Sequence, residues 1–314
     1  MKKWVLILLV GLFVLLGLAA FYLNRNPLQF INRFYYPLSI MRYDLQVVAH
    51  NGELRRYETI TFQRAEADTF CVTISKPPEQ DSLPKPVIVL LGGLEIGRRS
   101  LNYIPQHGKN IIIAYEYPYR PHYWYDGTAL EEIPKIRRSV LIVPAQISQL
   151  VEWIKKQSWA DTTRISLLGY SFGALAIPSA LKVMSLRQTG VDGVIMAYGG
   201  VNLYEIFKVN LKTIPAFVRP MVSRLIAWLI RPVEPGLYLP SLKGDFLLIN
   251  GRYDRQIPES SWRALHRLTP KPKEIVLLDA GHLHPKKKEL IQNVIRISYD
   301  WLAKKKLISP LPVR

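Results

Sequence analysis

The sequence is poor in cysteine and histidine, with one cysteine, Cys71, and six histidines in 314 residues. A chain with a single thiol cannot form an intramolecular disulfide. It also cannot supply the several thiolates of a cysteine-rich zinc or iron–sulfur site. Because histidine is scarce, chemistry that depends on an imidazole near neutral pH has few candidate residues.

Acidic residues are also few relative to basic ones, with 24 Asp and Glu against 42 Lys and Arg and a formal net charge of +18. Such an excess favours contact with a membrane surface, a nucleic acid or an acidic substrate. The basic residues are scattered apart from short clusters at 286–288 and 304–306, and no nucleic-acid-binding motif surrounds them. A solvated basic surface is therefore favoured, and nucleic acid is not an expected partner.

Charged residues are absent from the apolar stretch between residues 4 and 23. Twenty helical residues extend about 30 Å, which matches the hydrocarbon core of a bilayer. Trp4 and Tyr22 lie where interfacial aromatic residues usually sit, and basic residues flank both ends. We therefore predict a single-pass N-terminal transmembrane helix over 4–23, followed by an aromatic and basic juxtamembrane connector over 24–42.

A cleaved signal peptide is the alternative, because the Gly17-Leu18-Ala19 segment has small residues, Gly17 and Ala19, at a cleavage-site spacing. The apolar run exceeds the roughly 7–15 residues of a signal-peptide core, which favours a retained anchor. The positive-inside comparison is close to a tie, so orientation is open. In a bacterium, the short basic N-terminus would stay inside and the body of the chain would lie outside the cytoplasm at the inner membrane.

Apolar strands and helical stretches organise residues 43–305. Three β-type segments come first and predict an antiparallel opening to a sheet, with a turn at Asn51 and Gly52. Later strands such as 85–93 are continuously apolar and alternate with helices, which predicts an α/β domain with a mostly parallel sheet and helices on both faces. Residues 201–240 form a long insertion with amphipathic stretches, either a helical cap over a site or a packed elaboration.

A serine between two glycines lies where one of these strands changes to a helix: Gly169-Tyr170-Ser171-Phe172-Gly173. A nucleophilic serine on such a sharp turn projects its hydroxyl above the sheet edge, and glycines at both ends avoid collisions. The helix that starts at Phe172 directs its N–H groups at the serine, so the Phe172 N–H is a candidate oxyanion donor. An ordinary strand-to-helix turn is the alternative for the motif taken alone.

Three other strand ends supply the remaining roles. Gly93 and Leu94 follow the strand at 86–91 and are candidates for a second oxyanion donor. His282 follows the last strand and is the candidate base, with His284 as the alternative. Asp254 follows the preceding strand and is the candidate acid, with Asp279 a weaker one.

Aromatic residues supply the candidates for a substrate pocket. The tyrosine-rich loop 117–127 follows a central strand, so Tyr119 and Tyr123 are expected to line the pocket, together with Tyr170 of the serine motif. An aromatic wall suits acyl chains, aryl esters or sugars.

Four segments together, GYSFG (169–173), LLGGLE (90–95), GRYDRQIP (251–258) and AGH (280–282), resemble the α/β-hydrolase superfamily of serine esterases, lipases and peptidases. The resemblance covers roughly residues 43–305. It implies an eight-stranded, mostly parallel sheet, a cap inserted before the acid strand and no cofactor. One position departs from the pattern, because Leu91 stands where many relatives have a histidine in the oxyanion loop.

These observations predict a membrane-anchored serine hydrolase that cleaves a small-molecule or lipid-like ester through Ser171, His282 and Asp254 and an acyl-enzyme. A peptidase, a thioesterase or an acyltransferase would use the same three residues, because a fold does not select among these reactions. A non-catalytic anchored binding module with the hydrolase fold is the alternative outside enzymes.

Overall fold

The computed structural model describes residues 26–50, 52–64, 68–78, 83–93, 96–119 and 128–310, together with six isolated residues between 11 and 21. Apart from those six, the predicted anchor at 4–23 lies outside the described residues. Within the ranges given, no helix is both long enough and apolar enough to cross a membrane.

A nine-stranded sheet forms the centre of the molecule. In spatial order its strands are β1 (Ser39–His50), β2 (Glu53–Arg64), β3 (Asp68–Lys76), β5 (Ile111–Glu116), β4 (Lys85–Leu91), β6 (Ala160–Tyr170), β7 (Gly193–Ala197), β8 (Phe246–Gly251) and β9 (Lys273–Leu278). The three pairs from β1 to β5 are antiparallel, and the five pairs from β5 to β9 are parallel. The prediction of a mostly parallel sheet is confirmed.

The eight strands implied by the resemblance are one too few. The additional strand is β1, which pairs with β2 along its whole length in a long hairpin at the sheet edge. Gly52 in the connecting turn has a φ of 84°, a conformation that glycine adopts without steric cost. The three β-type segments at the start of the domain therefore all join the sheet.

Helices cover both faces of the sheet, as predicted. They are α1 (Pro27–Asn32), α2 (Ala129–Lys155), α3 (Phe172–Leu186), α4 (Leu203–Asn210), α5 (Arg219–Leu229), α6 (Glu259–Leu268) and α7 (Lys288–Lys304). Alternate residues of β4 point to opposite faces, as the strand geometry requires. Val87 and Val89 pack in the apolar core formed with α2 and α3, whereas Ile88 and Leu90 pack in the core formed with α7.

The segment predicted as a juxtamembrane connector is partly built into the fold. Asn26 caps α1, because its side-chain oxygen accepts a hydrogen bond from the Gln29 N–H at 3.0 Å. Phe30, Ile31 and Phe34 are buried in a third apolar cluster, together with residues of α2 and of the insertion. These apolar side chains therefore pack this part of the predicted connector against the domain.

The insertion at 201–240, here called the cap, lies between β7 and β8 and is helical. It contains α4, α5 and three short 3-10 turns at 231–233, 235–237 and 239–241. Glu234 ties its two ends together, because its carboxylate accepts hydrogen bonds from the N–H groups of Asn202 and Leu203, both at 2.8 Å. The negative charge therefore sits at the N-terminus of α4, where the helix dipole favours it.

Candidate active site

The serine motif forms a strained turn between β6 and α3. Ser171 has φ 55° and ψ −116°, a backbone conformation that non-glycine residues rarely adopt. Its N–H donates to the Ala197 carbonyl at 2.8 Å, which holds the turn against β7. A Cβ on Gly169 would lie 2.6 Å from the Gly173 carbonyl carbon, and a Cβ on Gly173 would overlap the Leu91 carbonyl oxygen. Close packing therefore requires glycine at both positions.

Ser171, His282 and Asp254 form one hydrogen-bonded chain. The Ser171 Oγ lies 2.8 Å from His282 Nε2, and His282 Nδ1 lies 2.7 Å from Asp254 Oδ2. The other Asp254 oxygen accepts the N–H groups of Gln256 at 2.8 Å and Ile257 at 3.0 Å. The side chains of His282 and Asp254 are 9% and 0% exposed, so water competes little for their mutual hydrogen bond.

Topology brings these three residues together from distant parts of the sequence. Ser171 follows β6, Asp254 follows β8 and His282 follows β9, and these three strands belong to the parallel part of the sheet. The carboxyl ends of parallel strands meet at one edge, which is where open α/β sheets place their sites.

The two alternative residues occupy other interactions. The ring Nδ1 of His284 accepts the Lys286 N–H at 3.2 Å, although His284 lines the same cavity as Ser171. Asp279 is exposed, and its carboxylate lies 3.3 Å from the Arg252 guanidinium. The hydrogen-bonded chain therefore contains His282 and Asp254, the first candidates for base and acid, and neither His284 nor Asp279.

A cavity of about 610 Å³ opens above Ser171. Gly93 and Phe172, two of the predicted oxyanion donors, line it beside Ser171, and the third, Leu94, lies outside the described residues. None of its lining residues in the described part of the chain is Asp, Glu, Lys or Arg. Its apolar lining includes Leu90, Ile104, Leu175, Ile206, Phe207, Leu283, Ile291 and Ile295.

The three tyrosines expected at the pocket differ in their positions relative to the cavity. Tyr170 lines the cavity, and burial raises the pKa of its hydroxyl to about 12. Tyr119 does not line the cavity, and its hydroxyl instead donates to Glu132 Oε2 at 2.5 Å near the start of α2. The hydrogen bond to Glu132 holds the Tyr119 side chain beside α2. Tyr123 lies outside the described residues.

Sequence reasoning missed a tyrosine that braces the loop after β4. The buried Tyr117 hydroxyl donates to the Gly92 carbonyl at 2.6 Å, and burial raises its pKa, so it remains a donor. The Tyr117 ring also packs edge-on against Phe172, with centroids 5.1 Å apart. Tyr117 therefore holds the two predicted oxyanion segments in one arrangement. The sequence placed Tyr117 in a loop expected to line the pocket, and did not indicate that it supports the oxyanion segments.

A second missed residue is Tyr198, which follows β7. Its ring is fully buried and packs perpendicular to the His282 ring, with centroids 5.6 Å apart. Burial raises the pKa of the Tyr198 hydroxyl, with a smaller effect in the same direction from Asp254. No local sequence signal marks this contact, because it joins two loops that are 84 residues apart.

Solved structures provide the comparison with known proteins. Acetyl xylan esterase 1 from Thermoanaerobacterium sp. JW/SL YS485 is similar with a TM-score of 0.60 and 15% identity, over 88% of this chain and 92% of that one. An acetyl xylan esterase from Paenibacillus sp. R4 matches with a TM-score of 0.60 and 14% identity, over 87% of this chain and 92% of that one. The chain has the α/β-hydrolase fold.

A larger protein shares the same fold. The acylaminoacyl peptidase of Pyrococcus horikoshii is similar with a TM-score of 0.59 and 14% identity, over 88% of this chain and 51% of that one. No protein-family model matches the sequence, and no curated protein matches it significantly. In the part of the chain that the structure describes, no group of three His, Cys, Asp or Glu side chains could hold a metal ion. At these identities the α/β-hydrolase likeness concerns the fold, and the chemistry must be argued from the site.

Proposed function

We propose that this protein is a serine hydrolase that cleaves an ester-like bond. The observation that carries the proposal is the chain of hydrogen bonds from Ser171 through His282 to Asp254, with distances of 2.8 and 2.7 Å, at the floor of a cavity. A serine on a strained turn, a histidine within hydrogen-bond reach and a buried carboxylate behind it are the parts that acyl transfer needs.

In the proposed reaction, the Ser171 Oγ attacks the ester carbonyl carbon while His282 Nε2 accepts the serine proton. Asp254 holds the His282 Nδ1–H and stabilises the imidazolium that forms. The N–H groups of Phe172 and of Gly93 or Leu94 donate to the oxyanion. His282 then gives its proton to the departing alkoxide, which leaves as the alcohol. Water, activated by the same histidine, hydrolyses the acyl-enzyme and regenerates the Ser171 hydroxyl.

The cavity supports an apolar acyl group as the part of the substrate bound beside Ser171. Its volume of about 610 Å³ is in the range of ligand-sized pockets. Because no Asp, Glu, Lys or Arg side chain of the described residues lines it, the cavity offers little to a charged substrate. Two of the similar structures are named as esterases of acetyl xylan, which supports ester chemistry, while the cavity has room for an acyl group larger than acetyl.

The proposal includes attachment to a membrane through residues 4–23, at the bacterial inner membrane with the catalytic domain outside the cytoplasm. It is supported by the uncharged apolar run of twenty residues and its flanking basic residues. Retention of the full-length chain in the membrane pellet after an alkaline carbonate wash tests the anchor. Release of the chain into the supernatant would contradict it.

Labelling by a fluorophosphonate probe tests the serine hydrolase. The full-length protein is expected to react covalently, and Ser171→Ala is expected to lose the label completely, because the nucleophilic oxygen is gone. Ser100→Ala is the matched control, since Ser100 lines the same cavity and has no part in the hydrogen-bonded chain. It should keep the label. Equal labelling of the Ser171→Ala variant and the wild type would refute the assignment.

A series of p-nitrophenyl esters tests the substrate class. We expect kcat/KM to rise from acetyl to medium-length acyl chains by about tenfold, because each buried methylene adds apolar contact. Ile206→Trp, which places a larger ring in the cavity wall, is expected to lower the rate on the longer esters and to leave acetyl ester hydrolysis nearly unchanged. A profile that falls steadily from acetyl onwards would contradict an acyl-binding cavity.

A further inference from the structure

The cap exposes an apolar face that the hydrolase mechanism does not use. Phe217, Met221 and Leu225 are 88%, 67% and 52% exposed. Met221 and Leu225 are within α5, and Phe217 lies in the turn two residues before its first residue, Arg219. Residues four apart lie on one side of a helix, so Met221 and Leu225 form one stripe, and the exposed Phe217 precedes it in the adjoining turn. We call this stripe the apolar face of α5. Exposed apolar side chains grouped in this way often mark a surface that binds a partner or a membrane.

Basic residues accompany the apolar face. The segment from 211 to 233 contains Lys212, Arg219, Arg224 and Arg231 and no acidic residue. Arg224 extends over the Tyr204 ring at 5.1 Å, and Arg219 donates to the Ile214 carbonyl at 2.9 Å, so both side chains are held at the cap surface. An amphipathic helix with apolar side chains on one face and basic residues around it has the composition of helices that lie on anionic bilayers.

The start of the described domain lies next to this helix. Phe30 of α1 is within 5.3 Å of the Arg137 guanidinium, and Arg137 Nε donates to the carbonyl of Leu229, the last residue of α5, at 2.9 Å. The apolar cluster that buries Phe30 also includes Val233, four residues after α5. The N-terminal end of the domain and the C-terminal end of α5 are therefore packed on the same side of the molecule.

The distance from the predicted anchor to the cap is short. Residues 24–26 alone separate the apolar run from α1, which begins at Pro27. Three extended residues and their flanking bonds span at most about 14 Å. An anchor that ends at residue 23 would therefore hold α1, and α5 beside it, close to the lipid headgroups.

We propose that the apolar face of α5 docks on the surface of the bilayer, with its basic residues on anionic headgroups. The proposal rests on the membrane anchor given under the proposed function. Docking would place the cavity beside the membrane, because Ile206 and Phe207 of α4 line the cavity and α4 packs against α5 within the cap. The face then serves a substrate that resides in the bilayer, an apolar ester whose acyl chain leaves the lipid phase for the cavity.

Site-specific fluorescence in the full-length protein tests the docking. The only native thiol is replaced by Cys71→Ser, and Met221→Cys is labelled with an environment-sensitive fluorophore. The protein is reconstituted into vesicles of phosphatidylcholine and phosphatidylglycerol. We expect the label at 221 to shift to shorter wavelength and to lose about half of its emission when the vesicles carry doxyl-labelled lipid. Leu54→Cys is the matched control, an exposed apolar position near the turn of the β1–β2 hairpin, and should show neither change.

A charge reversal tests the electrostatic part. Lys212→Glu combined with Arg224→Glu is expected to reduce the quenching at 221 in the anionic vesicles by at least about twofold. Lys155→Glu with Lys156→Glu, at the far end of α2, should leave it unchanged. Quenching at 221 that is equal to quenching at 54, in a chain that stays with the vesicles after a carbonate wash, would overturn docking while leaving the anchor in place.

Failure of the anchor, failure of docking and failure of the proposed hydrolase give different results. A chain that washes off the vesicles would overturn the anchor and the docking together. Labelling by the fluorophosphonate probe reports on Ser171 independently of both results, so loss of docking would leave the proposed hydrolase standing. Quenching that persists with equal strength in pure phosphatidylcholine and after charge reversal would overturn the assignment of the basic residues to anionic headgroups.

Discussion

Single residues around Ser171 do two kinds of work in this protein. Some would contact the substrate, and others hold those groups in position. Tyr117 belongs to the second kind, because its hydroxyl binds the Gly92 carbonyl and its ring contacts Phe172 without lining the cavity. A donor that must be aimed within a few tenths of an ångström depends on such supports.

Tyr117→Phe is expected to lower kcat for ester hydrolysis about tenfold and to change KM little, since a looser oxyanion loop weakens transition-state binding more than substrate binding. Steady-state kinetics on a p-nitrophenyl ester measure the effect. Tyr119→Phe is the matched control, because Tyr119 donates to Glu132 away from the cavity. An equal fall in kcat for both variants would indicate a general loss of structure.

The triad candidates could be predicted from sequence at this scale, and the tyrosines could not. Ser171 follows β6 directly, and Asp254 and His282 lie in the loops that follow β8 and β9, so local pattern and topology place them at one edge. Tyr198 contacts His282 through ring packing between distant loops, which no short motif encodes. His282 was the first candidate base and His284 the alternative, and in the structure His282 is the one within hydrogen-bond reach of Ser171.

At the scale of elements, the turn between β6 and α3 depends on the absence of side chains. A Cβ at Gly173 would overlap the carbonyl oxygen of Leu91 in the neighbouring strand β4. Backbone cannot yield as a flexible side chain does, so relief of this contact requires β4 and α3 to separate. The turn and the loop after β4 are therefore packed as one unit.

Gly173→Ala is expected to lower both the free energy of unfolding, by roughly 2 kcal/mol or more, and the labelling by fluorophosphonate. Urea denaturation followed by tryptophan fluorescence measures the first effect. Gly190→Ala is the matched control, because a Cβ there would meet no atom within 4 Å and should leave both properties unchanged. Wild-type stability in the Gly173→Ala variant would show that the turn has more room than its geometry implies.

The type of most helices and strands was predictable from the sequence, whereas the way they pair and pack with one another was not. Continuous apolar runs identified the parallel strands, because only strands buried on both faces lack polar alternation. The pairing of the first three segments into one sheet with the parallel strands is a long-range property, and so the strand count differed by β1 from the pattern implied by the resemblance. Likewise, the packing of α1, part of the predicted connector 24–42, in an apolar cluster with the cap is a contact between distant segments that the sequence did not reveal.

At the scale of the whole molecule, a partly buried histidine outside the site, His266, affects stability through its titration. His266 on α6 accepts or donates a hydrogen bond with the Asn250 side chain at 2.9 Å and packs against Trp262. Burial lowers its pKa from the ordinary 6.5 to about 4, with smaller contributions from the cations of Lys273 and Arg263. The folded protein therefore binds this proton less readily than the unfolded chain does.

Because the folded pKa of His266 lies below the unfolded value, its contribution to stability is complete above pH 6.5 and is lost progressively as the pH falls towards 4. We expect the free energy of unfolding to decrease over this window in the wild type and to decrease less in His266→Gln, which keeps a hydrogen-bonding group and cannot titrate. Urea unfolding at several pH values makes the comparison. Identical pH dependence of the two proteins would contradict the assignment.

Local patterns were sufficient to predict the succession of strands and helices along the chain, the turn at Ser171 and the loops that hold Asp254 and His282. Strand burial and tight turns restrict nearby residues directly, so a short stretch of sequence reveals them. Contacts between distant segments required the folded chain. Packing across the sheet selected His282 over His284, recruited Tyr117 and Tyr198, and set α1 against the cap beside the apolar face of α5. Such contacts join residues far apart in sequence, and side-chain shape in three dimensions decides them.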